Sequence, residues 1–285
     1  MSNIQYKSVT VDDVNIFYRE AGDPSKPLIV LLHGFPSSSH MYRDLMNDLK
    51  NDFHLLAPDY PGFGNSDMPS LNAYNYTFDQ LSITIEKWID ALQLKPFALY
   101  IQDYGAPVGY RIALRRPDLI HALLIQNGNA YEEGLGPAID DGKRFWADRN
   151  EITEKAMRQA LTLEGTKFQY LNGVEDESRI SPDAYLYDQY FLDRPGNDKI
   201  QLALLYDYRN NLLQYPAWQQ WLREKQPPTL ITWGKNDLFF TEAGALAYQK
   251  DLPQAQIHLL NSGHFALEEF HETIASYIHD FLRSL

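Results

Sequence analysis

Phe97-Ala98-Leu99-Tyr100-Ile101-Gln102-Asp103-Tyr104-Gly105-Ala106-Pro107-Val108-Gly109-Tyr110 is the stretch on which the reading of the chain turns. An apolar run ends in a carboxylate, an aromatic residue and a glycine. Helix-compatible sequence with a proline in its first turn follows at once. A short buried strand entering a helix through almost no loop puts the intervening side chain on a sharp turn. Neighbouring backbone N–H groups and the positive end of the helix then face the same space. Asp103 on such a turn has two readings: a helix N-cap, or a reactive or ligand-binding carboxylate above the sheet edge. The stretch alone leaves both open.

Outward from it, short apolar runs recur. Leu28 to Leu32 is an unbroken run of the kind covered on both faces, and it ends in His33-Gly34-Phe35-Pro36-Ser37-Ser38-Ser39. A helix over Tyr42 to Leu49 follows, then a strand over Phe53 to Pro58 that stops at the Gly- and Pro-rich loop Asp59 to Ser66. Phe78, Leu81, Ile85, Trp88, Ile89 and Leu92 recur at spacings of three and four, predicting an amphipathic helix between Tyr76 and Leu92. Arg115-Arg116-Pro117 ends the helix after Gly105, and Ala122 to Gln126 is the next buried-type strand. Upstream, residues 9 to 20 alternate apolar and polar around Asp12-Asp13, which reads as a hairpin or a pair of edge strands. Strand, helix and strand at this cadence predict a mostly parallel α/β sheet with helices on both faces.

After Ala130 the character changes. From about Tyr131 to Lys225 no comparable apolar run occurs, and helical stretches dense in Tyr, Phe, Trp and charge take over. The chain thus divides into a core of 1–130 and 226–285 and an inserted helical subdomain of 131–225. Core strands resume at Thr229 to Trp233 and Gln256 to Leu260, with helices over Glu242 to Lys250 and Glu268 to Leu282.

With 285 residues, 44% of them hydrophobic, the chain can bury a large core. Its formal net charge of -13 disfavours nonspecific binding to nucleic acid or to an anionic membrane. Having no cysteine, it forms neither disulfides nor thiolate metal sites. None of its histidines has a zinc-type spacing, and no glycine-rich phosphate loop is present, so no metal or cofactor is expected. Met1-Ser2-Asn3-Ile4-Gln5-Tyr6 lacks a basic segment followed by an apolar one, and a cytoplasmic location is the expectation.

Three side chains stand at sheet-edge positions. Asp103 follows the central strand, Asp237 lies in Gly234-Lys235-Asn236-Asp237 after the next-to-last strand, and His264 in Asn261-Ser262-Gly263-His264 after the last. Singly, Asp237 reads as a turn residue and His264 as a loop residue. Together, acid, acid and base at the carboxyl ends of parallel strands can converge on one site.

These residues resemble the α/β-hydrolase superfamily over nearly the whole chain. His33-Gly34-Phe35-Pro36 resembles its oxyanion loop, and Gln102-Asp103-Tyr104-Gly105 its nucleophile elbow, with aspartate where esterases place serine. Residues 131–225 match its helical cap. An aspartate there narrows the resemblance to epoxide hydrolases and to haloalkane and haloacetate dehalogenases. In those enzymes a carboxylate forms an ester that histidine-activated water then hydrolyses. The resemblance implies Asp103 as nucleophile, His264 as base oriented by Asp237, and the backbone N–H groups of Phe35 and Tyr104 as oxyanion donors.

Within the group, Tyr206-Asp207-Tyr208-Arg209 resembles the cap motif with a ring-opening tyrosine, which maps to Tyr208. Tyr170 is the choice for a second phenol, with Tyr185 and Tyr190 as rivals. Three sequence positions separate the alternatives. Haloalkane dehalogenases carry Trp after the nucleophile and Asn or Trp beside the oxyanion loop, where this chain has Tyr104 and Phe35. Haloacetate enzymes carry Arg after the nucleophile and three residues later, where it has Tyr104 and Pro107. The epoxide hydrolase elbow is usually His-Asp-Trp-Gly, so Gln102 and Tyr104 depart from that pattern too. Some relatives take the acid from the strand before the cap; there this chain has Asn127 and Asn129, which carry no charge, with Glu132 and Glu133 beyond, so Asp237 is favoured. The expected activity is opening of an epoxide to a vicinal diol, with dehalogenation and noncatalytic small-molecule binding as alternatives. The expected partner is a small, largely apolar organic molecule, and the chain is expected to be a monomer or homodimer.

Overall fold

The structure, a computed structural model, describes residues 4–285; the expectation drawn from Met1 to Asn3 about a leader lies outside them. In chain order the strands and helices are β1 (Gln5–Val11), β2 (Val14–Ala21), β3 (Leu28–Leu32), α1 (Arg43–Leu49), β4 (His54–Pro58), α2 (Phe78–Ala91), β5 (Phe97–Gln102), α3 (Gly105–Arg115) and β6 (Ile120–Gln126). Six helices then intervene: α4 (Asp140–Ala147), α5 (Glu151–Met157), α6 (Leu163–Leu171), α7 (Pro182–Leu192), α8 (Asn197–Asp207) and α9 (Arg209–Lys225). The core closes with β7 (Thr229–Gly234), α10 (Glu242–Ala247), β8 (Gln256–Leu260) and α11 (Ala266–Arg283).

The eight strands form one sheet in the order β1-β2-β4-β3-β5-β6-β7-β8, parallel from β4 onward and antiparallel at the β1–β2 edge. Asp12 and Asp13 both have positive φ (48° and 63°) between Val11 and Val14, the backbone of a two-residue hairpin turn. The choice between hairpin and edge strands is therefore settled as a hairpin, and it begins at Gln5, earlier than the alternation suggests.

The unbroken apolar runs are explained by cover on both faces. In β5, Phe97, Leu99 and Ile101 join the core beneath α2 and α3, while Ala98 and Tyr100 join the core beneath α1 and α11. Leu28 to Leu32 divides in the same way, with Val30 and Leu32 on one side and Ile29 and Leu31 on the other. Pairing aligns Leu32 with Ile101, Gln102 with Gln126, Gln126 with Thr232 and Gly234 with Leu260. The carboxyl ends of five strands thus form one edge of the sheet, and the helices inserted after β6 stand above it. Among the described residues, no helix is long and apolar enough to cross a membrane.

Helix ends differ from the periodicity for local reasons. The helix read from Tyr76 starts at Phe78, because the Thr77 side chain accepts from Gln80 N–H and caps it there. Ahead of α1, the residues Ser39–Tyr42 form a 3-10 turn capped by Ser38. The segment after Ala247 likewise tightens into a 3-10 turn over Tyr248–Lys250.

Candidate active site

The turn after β5 is as sharp as its sequence suggests. Asp103 has φ +46°, a left-handed conformation that costs a non-glycine residue energy and recurs where side chains are held for function. Gly105 makes the turn possible: a Cβ there would come within 2.1 Å of the Leu32 carbonyl oxygen. The Asp103 carboxylate does not cap its own helix, since α3 has no side-chain cap. It points instead across to the loop after β3, where Phe35 N–H donates to Oδ1 at 2.7 Å. The Tyr104 N–H also favours the charged form of the same carboxylate. Both N–H groups of the expected oxyanion pair therefore converge on Asp103.

His264 faces Asp103 from the loop after β8, its Nε2 lying 3.9 Å from Asp103 Oδ2. Its Nδ1 lies 2.7 Å from Asp237 Oδ2. Because a carboxylate only accepts, Nδ1 carries the proton and Nε2 of the neutral ring is left as an acceptor. Asp237 is fixed from two sides: Phe239 N–H donates to Oδ1 at 2.7 Å, and Asn127 Nδ2 to Oδ2 at 2.8 Å. Asn127, at the alternative acid position, thus supports the acid from a left-handed backbone (φ +43°). Its side chain also accepts from Gly234 N–H at 2.9 Å, tying the ends of β6 and β7 together.

Burial sets the electrostatics. It pushes the Asp103 carboxyl up to about 6, against the opposing pull of His264 and the two N–H donors. For His264, burial pushes the pKa down, but the Asp237 and Asp103 carboxylates outweigh it and the net shift is upward. Elsewhere in the loop after β3, His33 is held neutral by burial, its pKa falling to about 3. It accepts from Tyr60 N–H at 3.1 Å on Nε2, and its Nδ1 lies 3.0 Å from the Gly34 carbonyl, so it braces the loop rather than facing the cavity.

Asp103 and His264 form the floor of a cavity of about 380 Å³ between sheet edge and inserted helices. Its walls are largely aromatic: Phe35, Tyr104, Trp146, Tyr208, Phe239 and Phe240. Tyr208 stands between α8 and α9, stacked on Trp146 at 5.5 Å, with its ring centroid 6.1 Å from that of Tyr104. Its hydroxyl faces that of Tyr215, which receives Asn129 Nδ2 at 3.2 Å.

The second expected phenol is not there. Tyr170 is buried, stacked on Phe265 with centroids 4.0 Å apart, and its hydroxyl donates to Asp188 at 2.5 Å. Asp188 on α7 also accepts from Ser37 on the loop after β3, at 3.2 Å, so this trio ties the inserted helices to the core. Tyr170 is thus occupied in tethering, and the expectation that it reaches the site is not met. Tyr185 and Tyr190 do not line the cavity either, and Tyr190 is 71% exposed. The phenol beside Tyr208 is Tyr215. It lies seven residues on, two helical turns, and that spacing was the available signal.

A family model described as alpha/beta hydrolase fold matches residues 27–270. The chain belongs to the α/β-hydrolase fold family. Across the family, it is 42% identical over 98% of its length, and 98% of the relative's, to an uncharacterized hydrolase of Saccharomyces cerevisiae, YNR064C. It is 25% identical to epoxide hydrolase 2 of Caenorhabditis elegans, covering 99% of this chain and 81% of the worm protein. Among solved structures, a mutant of the haloalkane dehalogenase DatA from Agrobacterium tumefaciens C58 superposes with a TM-score of 0.82 at 25% identity. It covers 98% of this chain and 97% of its own. The family member described here is homologous to the branch that holds epoxide hydrolases and haloalkane dehalogenases. Its Asp103, His264 and Asp237 are arranged as a nucleophile, base and acid of hydrolytic catalysis.

Proposed function

We infer that this enzyme hydrolyses a small, largely apolar epoxide to a vicinal diol through an ester on Asp103. The observation that carries the reading is a carboxylate held by Phe35 N–H at the floor of an aromatic cavity, 3.9 Å from an imidazole, with the Tyr208 phenol in the wall. Asp103 is ionised above about pH 6 and needs no proton removed before it attacks. Its oxygen forms a bond to an epoxide carbon, the C–O bond of the ring breaks, and the alkoxide takes the Tyr208 proton. Tyr215, facing Tyr208, steadies the phenolate that remains.

In the second half, His264 removes a proton from water, and the hydroxide attacks the ester carbonyl carbon. The oxyanion rests on the N–H groups of Phe35 and Tyr104. Collapse releases the diol oxygen, which takes the proton back from His264, and the proton left on the Asp103 carboxyl restores Tyr208. Forming the ester removes the negative charge beside His264. One of the causes raising its pKa disappears just when a neutral base is required.

A second reading, halide release from a small organohalide, is favoured by one observation. Tyr104 lines the cavity, and its buried hydroxyl has no protein hydrogen-bond partner, leaving a donor for a departing halide. The two readings share the ester and differ in the leaving atom. The His264→Gln protein, mixed with styrene oxide and separately with 1-bromobutane, distinguishes them by intact-protein mass. An adduct on Asp103 from the epoxide, with diol produced by the wild type, is expected. An adduct from the bromide alone, with bromide released by the wild type, would replace the epoxide reading. No adduct from a broad panel of either would remove Asp103 as nucleophile.

A further inference from the structure

The reaction scheme leaves Gln102 without a task, yet its amide touches the base. Gln102 ends β5, is completely buried, and places its Nε2 3.1 Å from His264 Nε2. Its carbonyl Oε1 is buried with no hydrogen-bond partner. That oxygen occupies room that only a glycine leaves, since a Cβ on Gly34 would come within 2.3 Å of it. An amide nitrogen only donates, so the contact requires a lone pair on His264 Nε2. That is the neutral ring whose Nδ1 proton faces Asp237.

The contact cannot survive the proton transfer as it stands. While His264 holds the proton taken from water, before passing it to the diol oxygen, its Nε2–H and the amide N–H are two donors at one contact. A buried charged donor left unsatisfied is costly. Half a turn of the amide about its last side-chain bond exchanges nitrogen and oxygen. The unpartnered Oε1 then accepts from the imidazolium.

We propose that Gln102 is a positioning residue for the hydrolytic half-reaction: its amide holds His264 as the neutral base and, by reversing, accepts from the imidazolium. This rests on the reading of Asp103 as an ester-forming nucleophile. Ester formation does not change the protonation of His264, so it does not depend on the reversal; ester breakdown does.

The test separates the two half-reactions by rapid quench and intact-protein mass, with styrene oxide as the probe. Gln102→Met keeps the side-chain length and removes both donor and acceptor. It leaves ester formation within about threefold and slows ester breakdown about tenfold or more, so the ester accumulates during turnover; tenfold corresponds to one charged hydrogen bond. Gln102→Glu, nearly isosteric and therefore the safer variant for folding, places a carboxylate against His264. It moves the acid limb of ester breakdown, and the pKa of His264 followed by imidazole NMR in the free enzyme, to higher pH. Equal slowing of both half-reactions in Gln102→Met marks a packing role and overturns the proposal. So does an unmoved His264 pKa in Gln102→Glu. If His264→Gln traps no ester on Asp103, the nucleophile reading fails and takes this inference with it. If it traps one while Gln102→Met accumulates none, the inference about Gln102 fails alone.

Discussion

At the scale of single residues, Asp103 works against its own environment. Burial raises its pKa to about 6, so a proton competes with substrate for it at mildly acidic pH. A carboxylate attacks only when ionised, so kcat/KM for the ester-forming step rises with pH and levels off above about 6. Below that it falls about tenfold per pH unit, the slope for loss of one proton. His264 must be neutral in the second step, so ester breakdown is also lost toward acid. Its limb in kcat lies below the pKa of His264 in the free enzyme, because the ester carries no charge. Stopped-flow profiles of the two steps provide the check. An acid limb for ester formation near pH 4 would mean that Asp103 is solvated during the reaction, contrary to its 7% exposure.

At the scale of elements, the site depends on two backbones approaching closely at the ends of neighbouring strands. Leu32 at the end of β3 pairs with Ile101 of β5, and the chains then diverge into the Gly34 loop and the Asp103 turn. A Cβ on Gly34 would meet Asp103 Cβ at 2.4 Å and Asp103 Oδ1 at 2.8 Å, as well as the Gln102 amide. Gly34→Ala therefore pushes the nucleophile off the Phe35 N–H without touching any substrate-binding side chain. Misplacement by about 1 Å costs about 100-fold in rate, which is the loss expected in kcat/KM. The secondary structure should persist, since both strands are held by their full ladders; circular dichroism beside the kinetics tests this. A Gly34→Ala protein with unchanged activity would show that the loop tolerates a shift the packing argues against.

At the scale of the molecule, the inserted helices make the cavity and set what it accepts. No Lys or Arg lines it, and its rim carries Asp141 and Glu164. A formal net charge of -13 adds a long-range repulsion toward anions. A neutral epoxide or organohalide should therefore react at least about 100-fold faster than the same skeleton bearing a carboxylate, since an unpaired buried charge costs several kcal/mol. Matched pairs in the same assay decide this; carboxylated substrate turning over within about threefold would mean the cavity holds a counter-charge. The tether of Ser37 and Tyr170 to Asp188 is part of the same division between core and insertion.

Much of this is legible in the sequence alone. Apolar runs bounded by Gly, Pro and Asn mark strands because a strand covered on both faces has no polar side to show. The strand-turn-helix at Asp103 and the two loop residues Asp237 and His264 follow from local pattern and chain order, so their convergence at one sheet edge could be expected. What sequence could not decide was which of many aromatic residues on the inserted helices face inward. α6 and α7 show little apolar periodicity, because their exposed sides carry Phe168, Leu186 and Tyr190 while the polar Gln169, Asp188 and Gln189 are buried. Placement along the chain singles out Tyr170, with Tyr185 and Tyr190 as rivals, and passes over Tyr215; packing commits Tyr170 to Asp188 and puts Tyr215 beside Tyr208. The same holds for Gln102 and His264, 162 residues apart, whose contact exists because β5 and β8 end at one edge. Local chemistry and order along the chain determine the sheet and its reactive turn. Contacts between distant segments decide which side chain serves which, since they depend on distances no single stretch of sequence contains.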